Sequence, residues 1–364
     1  MNSLLYPAIA FMNRLSFGMK FSLVSLLFFV PMALTNFYLV RDSYREFVGT
    51  RSELQSLELL GAALRLRRDL EDWHDLVQVE AIIGQTGNVQ TLNARLQDVE
   101  GRLASGLQAL QPVSSDPQQV TEFNTRRDQM QRALGEAQAE QSLQSKAAMA
   151  GSLLGSSQVI IKLIASQSGL SQDAEREVRL LAELLTSVTP TITSVLGEGR
   201  AVGAYTFGQG YLNSEASNIL DGLVQELEKL QTQYQAQLQD AVDSSSAARA
   251  HLAELAALSG ASLGASSEII QDEVILADAL DRPWDAFYER ISNEMAKTYE
   301  LNDAVLDFLD QRLQQRLAEV AKKEPAGTAP WAWLGVLLLV VAAAGWWLSR
   351  RRRPSPRCHH PRGG

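Results

Sequence analysis

Thiols are nearly missing from this sequence. Its 364 residues hold one cysteine, Cys358, close to the C-terminus, so the long middle can be neither stapled by a disulfide nor bound to zinc through thiolates. Histidine is almost as scarce: His359 and His360 stand beside Cys358, and only His74 and His251 fall in the middle. The Cys358, His359, His360 run lacks the four preplaced ligands and the supporting shell of a metal site, and no metal or other cofactor is expected. Acidic residues are absent from both ends. Residues 1–40 carry Arg14 and Lys20 and residues 330–364 carry six Arg, with no Asp or Glu in either stretch. The middle therefore holds all 42 acidic residues against 25 basic ones. Such a segment repels phosphate backbones, and the basic ends are too short to form a nucleic-acid domain, which excludes DNA and RNA as partners. Catalytic signatures are missing too. There is no GxxxxGK[ST] loop, HExxH, GxSxG elbow, GxGxxG after a strand or kinase signature, and the chain reads as no enzyme.

Long uncharged runs are present twice. Phe21 to Val40 reads FSLVSLLFFVPMALTNFYLV, twenty residues that at 1.5 Å each match a hydrocarbon core of roughly 30 Å. The run is too long for a signal-peptide core and no A-x-A-like site follows it, so it reads as a membrane anchor. Trp331 to Leu348, WAWLGVLLLVVAAAGWWL, has Trp331, Trp333, Trp346 and Trp347 at its two ends, where aromatic belts sit. Arg350 to Arg353 after it, and Arg14 with Lys20 before the first run, place both termini in the cytoplasm by the positive-inside rule. The expected order is a cytoplasmic N-terminus over 1–20, transmembrane helix 21–40, an outer segment 41–324, a linker 325–330, transmembrane helix 331–348 and a basic cytoplasmic tail 349–364. In a Gram-negative cell this is an inner-membrane protein with its bulk in the periplasm.

The outer segment reads as all-α. Leu54, Leu57, Leu60, Leu64, Leu70, Trp73 and Val77 form one apolar stripe, and Leu223, Leu227, Leu230, Tyr234 and Leu238 a second. Val305, Leu309, Leu313, Leu317 and Val320 form a third, and each stripe needs another helix to cover it. Breaks are expected at Gly84 to Asn88, Gln111 to Pro117, Ser166 to Gln172, Gly208 to Ser214, Ser259 to Ser267 and Lys322 to Pro330, leaving about six long helices. Pro190 and Pro283 should kink the helices they fall in. The first helix continues from the span through Gln85 and the last runs through Lys323. Nearly 290 residues suit two stacked four-helix modules that share those long helices.

A bundle that recognises an anionic small molecule needs Arg beside aromatics in this acidic region. Three clusters qualify: Arg65, Arg67 and Arg68 with Trp73 and His74; Arg200 with Tyr205 and Phe207 within GEGRAVGAYTFGQG; and Arg282 with Trp284 and Tyr288. The glycines around Arg200 leave room for a ligand or for a close helix contact.

With these features, the chain resembles the sensory half of bacterial methyl-accepting chemotaxis proteins with a large helical-bimodular periplasmic domain. SGLSQDAEREVRLLAELLTSVTPTITSVLGEGRAVGA, Ser168 to Ala204, is similar to a stretch of such sensors in Gly169, Leu170, Asp173, Pro190, Arg200, Gly203 and Ala204. Asp285 to Val320 looks like the last outer helix leading to the second span. The resemblance implies a small-molecule ligand or a periplasmic binding protein as partner. It also implies a homodimer, or a heterodimer with full-length receptors, and transmission by a shift of the last helix of about 1 to 2 Å. Those receptors continue into a HAMP helix pair and a cytoplasmic coiled-coil hairpin. SRRRRPSPRCHHPRGG after Leu348 forms neither, so the expected output runs through a partner's helices. A periplasmic coiled-coil scaffold anchored by two transmembrane helices is the rival expectation.

Overall fold

The computed structural model describes residues 17–83 and 90–323, and among these the chain is helical with no strand. The helices are α1 (Phe17–Ile83), α2 (Gln90–Ala109), α3 (Pro117–Ala139), α4 (Leu143–Ser168), α5 (Arg176–Glu183), α6 (Thr189–Gln209), α7 (Ser214–Val242), α8 (Ser246–Ile270) and α9 (Trp284–Lys323). Two compact units divide the chain, one made of Met1–Val48 with Leu317–Gly364 and the other of Gly49–Arg316.

Local chemistry sets most boundaries. Asp116 accepts from the Gln118 N–H at 2.9 Å, and Pro117 follows as the first residue of α3, which stabilises that start twice. Asn213 caps α7 by accepting from the Ala216 N–H at 2.8 Å. Gly169 and Gly210 end α4 and α6 in the left-handed region, at φ 93° and 77°, where a side chain would be strained. The expected breaks at 111–117, 166–172 and 208–214 coincide with these ends. Two breaks have no glycine or proline to announce them, at Glu140–Ser142 and Asp243–Ser245. Each is marked by a serine cap, Ser142 to the Ser145 N–H and Ser245 to the Ala248 N–H. Ser259 to Ser267, by contrast, lies inside α8. Its serines are buried small residues that let helices approach, and Ser259 joins Tyr234 and Thr298 in a hydroxyl chain with links of 2.7 and 2.8 Å. The break expected at Gly84 to Asn88 and the second span at Trp331 to Leu348 lie outside the described residues.

Of the two prolines expected to kink helices, Pro190 lies inside the continuous helical stretch Arg176–Gln209, while Pro283 lies just outside a helix. Pro283 immediately precedes α9, a position compatible with its fixed φ. Pro190 is the second residue of α6, after a single π turn over Leu184–Val188. Its missing N–H frees the Thr186 carbonyl, which instead accepts from Gln158 Nε2 of α4 at 2.6 Å. Pro31 is inside α1, where the Thr35 hydroxyl donates to the Pro31 carbonyl at 2.8 Å.

The core of the larger unit follows the expected stripes: Leu57, Leu60, Leu70, Trp73 and Val77, then Leu223, Leu227, Tyr234 and Leu238, then Val305, Leu309 and Leu313 are all buried. In the smaller unit, Leu27, Phe28, Phe37, Tyr38 and Leu39 of α1 are 62–73% exposed, an apolar surface that calls for a non-aqueous neighbour. By length and composition, two helical stretches among the described residues are apolar enough to cross a membrane, Leu143–Ser168 and Arg176–Gln209, and neither is a span expected from the sequence. The second is 72% buried over its most apolar window, as a core helix of a bundle would be.

Candidate functional site

One ion network in the larger unit gathers residues from α1, α4, α6 and α9. Arg67, Glu71 and Asp75 are spaced four apart on α1 and share its inward face. Arg67 donates to the Leu154 carbonyl at 3.2 Å, Ser157 Oγ at 3.3 Å, the Pro190 carbonyl at 3.2 Å and Ser194 Oγ at 2.8 Å. Its Nε lies 3.0 Å from Glu71 Oε1 without aiming its hydrogen there. Glu71 accepts from Thr193 Oγ1 at 2.8 Å and from the Tyr299 hydroxyl at 2.7 Å. Burial raises the Glu71 pKa, against the opposing pull of Arg67 and these two hydroxyls.

Arg200, about two turns of α6 beyond Thr193, is 1% exposed. It donates through Nε and Nη2 to Asp75 Oδ2 at 2.9 and 2.6 Å and through Nη1 to Ser292 Oγ at 2.9 Å. Asp72 Oδ1 lies 3.0 Å away, and the guanidinium sits 4.4 Å from the centre of the Tyr288 ring. Burial alone would loosen its proton, but Tyr288, Asp75 and Asp72 together hold the pKa well above the ordinary value. His74 Nδ1 donates to Asp75 Oδ1 at 2.9 Å, and its Nε2 accepts from Gln78 at 2.9 Å.

The structure brings together residues from all three sequence-predicted clusters. His74, Arg200 and Tyr288 meet around Asp75, and Trp284 touches the edge of Tyr288 at 6.0 Å between ring centres. Arg68 is exposed and lies 4.5 Å over the Tyr299 ring. Trp73 is fully buried and donates to Glu100 Oε1 at 3.2 Å, away from the network. Tyr205 is half-buried and accepts from Gln209 at 3.2 Å. Arg282 pairs with Glu273 at 3.2 Å; the cation beside Trp284 is Arg95, at 5.8 Å, which also lies 5.7 Å from the Tyr288 ring and pairs with Glu289 at 2.7 Å. The glycines around Arg200 serve close helix contacts. A Cβ on Gly197 would meet Asp75 Oδ2 at 3.0 Å, and one on Gly203 would fall 2.2 Å from the Phe287 ring.

Arg65 lines an open groove of about 560 Å³ between α1 and α2. Its floor is self-neutralised, because Arg102 binds Asp69 at 2.8 Å and also pairs with Asp98. A second charged cluster lies where Arg316 of α9 reaches Glu53 and Thr50 of α1 and the Asp173 carboxylate. Arg316 meets both Asp173 oxygens, at 3.0 and 2.8 Å, a bidentate fork. The acidic partners Glu71, Asp72, Asp75, Glu53 and Asp173 are absent from the candidates read from sequence. The signal for Glu71 and Asp75 is their four-residue spacing from Arg67 beside an apolar stripe.

Compared with known proteins, the chain matches no protein-family model, no curated protein and no solved structure. Its class is set by the architecture alone, an all-α protein whose long helices are joined by buried ion pairs.

Proposed function

We propose that the protein is a two-span inner-membrane sensor subunit of chemoreceptor type, with its helical bundle in the periplasm and both termini in the cytoplasm. In this reading the bundle comprises two stacked four-helix groups sharing α1 and α9. It binds a small molecule directly or through a periplasmic binding protein and passes a displacement of α9 across the membrane within a homodimer or heterodimer. The observation that carries the reading is the set of polar ties from α9 to α1: Arg316 to Glu53, Tyr299 to Glu71, and Ser292 through Arg200 to Asp75. α1 contains the first predicted span, and α9 leads toward the second. A helix held by buried, directional bonds moves as a unit or not at all.

The test uses the near absence of thiols. In a Cys358→Ser background, single cysteines from Tyr44 to Val48 are introduced into the full chain and oxidised in native membranes. Disulfides between protomers with helical period, whose rates change when candidate ligands are added, support the sensor. Absence of cross-linking at every position, or a pattern no compound alters, sinks it. With Cys358 retained, a membrane-impermeant maleimide should label a cysteine introduced at Glu254 in intact cells and leave Cys358 untouched.

One observation favours the scaffold reading. Arg200 is surrounded by the protein's own Asp75, Asp72, Ser292 and Tyr288, so that cluster is satisfied without a ligand.

A further inference from the structure

A cleft of about 470 Å³ opens between α4 and α5, bounded by the turn after α4 and by the π turn before α6. Its volume is within the range of small-molecule sites. Lys162, Arg176 and Arg179 line it, with Glu183 as the one carboxylate and Ser171 and Ser187 as hydroxyl donors. In a segment with a large excess of acid, a cleft with three cations and one carboxylate is out of character.

These cations are differently held. Arg179 is preset, because its Nη1 donates to the Asp173 and Ala174 carbonyls at 2.5 and 3.0 Å, which leaves its other N–H groups available. Arg176 has only a long contact of 3.8 Å to Asp240, with both side chains mostly exposed. Lys162 makes no ion pair among the described residues. This is the reverse of the Arg65 groove, where Asp69 and Asp98 already occupy Arg102. The backbone also leaves the hydroxyls in place: the π turn carries Ser187 on a wall whose irregular Thr186 carbonyl is already occupied by Gln158.

We propose that this cleft binds a doubly charged phosphoryl group, either inorganic phosphate or a phosphate carried on a small organic body. Three cations and one carboxylate leave two positive charges, which a dianion balances and a zwitterion does not. Guanidinium forks and serine hydroxyls supply the N–H and O–H donors that phosphoryl oxygens accept. The volume leaves space beyond the anionic group for an attached body. As the ligand class of the sensor, the assignment rests on the reading above for its signalling role, while binding itself can be measured alone.

The experiment is calorimetric titration of the full chain in detergent, in a phosphate-free buffer, with inorganic phosphate and separately with glycerol phosphate. Saturable binding should weaken at least tenfold in Lys162→Ala and in Arg176→Ala and return in Lys162→Arg. Both positions are exposed, so the melting temperature without phosphate should not move; Arg179 is avoided because it ties the turn. A tighter ester than free phosphate identifies the organic body as part of the ligand. No saturable binding to either probe, or equal binding in both alanine variants, overturns the proposal. Phosphate binding without any change in α1 cross-linking would keep this site and end the sensor reading. Cross-linking that answers to another compound while phosphate fails to bind would end this proposal alone.

Discussion

The Arg200 and Arg316 clusters are built from the same materials, a guanidinium facing several carboxylates with at least one from α1, yet they balance charge in different ways. Around Arg200 the buried Asp75 carboxylate accepts two guanidinium bonds and one from His74, and the surplus acid, Asp72, lies nearer water, with 27% of its side chain exposed. Around Arg316 two buried carboxylates, Glu53 and Asp173, share a single fork, while Glu175 is divided between Arg316 and Arg312. Burial, then the charge of Asp173, pushes the Glu53 pKa up to about 7. Burial also works against Asp173, but the Arg316 hydrogen bond and the Glu175 N–H overcome it and hold that carboxyl below its ordinary range. Where donors match acceptors the position is fixed; where acids outnumber them, a proton fills the gap.

The comparison breaks most visibly at Arg200. Arg200→Ala strands Asp75, 2% exposed, without its fork, and loss of one partner of a buried pair costs about 3–5 kcal/mol. Urea unfolding of the full chain should show a midpoint shift of that size, and a loss below 1 kcal/mol would mean that water replaces the guanidinium. Gly203→Ala comes next. Its Cβ would sit 2.2 Å from Phe287 Cε1, and overpacking of this kind costs about 1–3 kcal/mol. The same unfolding measurement reads it, and a neutral result would show that the Phe287 ring can swing away.

The Arg316 cluster is sharpened by pH. Glu53 binds its proton more tightly folded, near pH 7, than unfolded at the ordinary 4.5, so the folded form carries more protons between those values. The stability that this proton confers is complete below about pH 4.5 and is lost as pH rises through 7. Asp173 works in the opposite sense, losing its contribution as pH falls below its depressed folded value. Melting temperatures of the full chain should therefore fall between pH 5 and 8. Glu53→Gln should flatten that slope and raise stability at pH 8, and an unchanged slope would place the titration elsewhere.

What could be read in advance was periodic. The apolar stripes at Leu57 to Val77, Leu223 to Leu238 and Val305 to Leu313 fix three of the helices, because a buried face repeats every three or four residues. Gly169, Gly210 and Pro117 gave three of the breaks through backbone geometry. The breaks at Ser142 and Ser245 were hidden, since a serine is a cap only when the chain around it turns, and the same residue type at 259–267 lies in a continuous helix. Arg200, Tyr288 and His74 were found as ligand candidates, yet their partners are acids. Which carboxylate faces a given arginine depends on contacts 125 to 263 residues apart in sequence, and spacing along one helix cannot supply that. The Lys162 cleft was invisible for the same reason, being assembled from two helices and two turns.

The smallest expected effect concerns Arg102, which resembles Arg200 in facing several acids, Asp69 at 2.8 Å, Asp72 at 3.9 Å and Asp98, but leaves 42% of its side chain in water. Both guanidiniums are held protonated, for Arg102 against burial by the Asp69 hydrogen bond and the three acids. Exposure then decides the energy. Solvent screens each attraction, and ordering the long side chain offsets much of the gain, so Arg102→Ala should cost about 0–1 kcal/mol. Salt separates the two cases further. Raising ionic strength from 0.1 to 1 M shortens the screening length from about 10 to about 3 Å, which should remove most of the difference between Arg102→Ala and the parent while leaving the Arg200→Ala penalty in place. Unfolding midpoints at the two salt concentrations measure this. If the Arg200→Ala penalty also disappeared in salt, that site would be reached by ions, and its burial would not be what fixes α6 between α1 and α9.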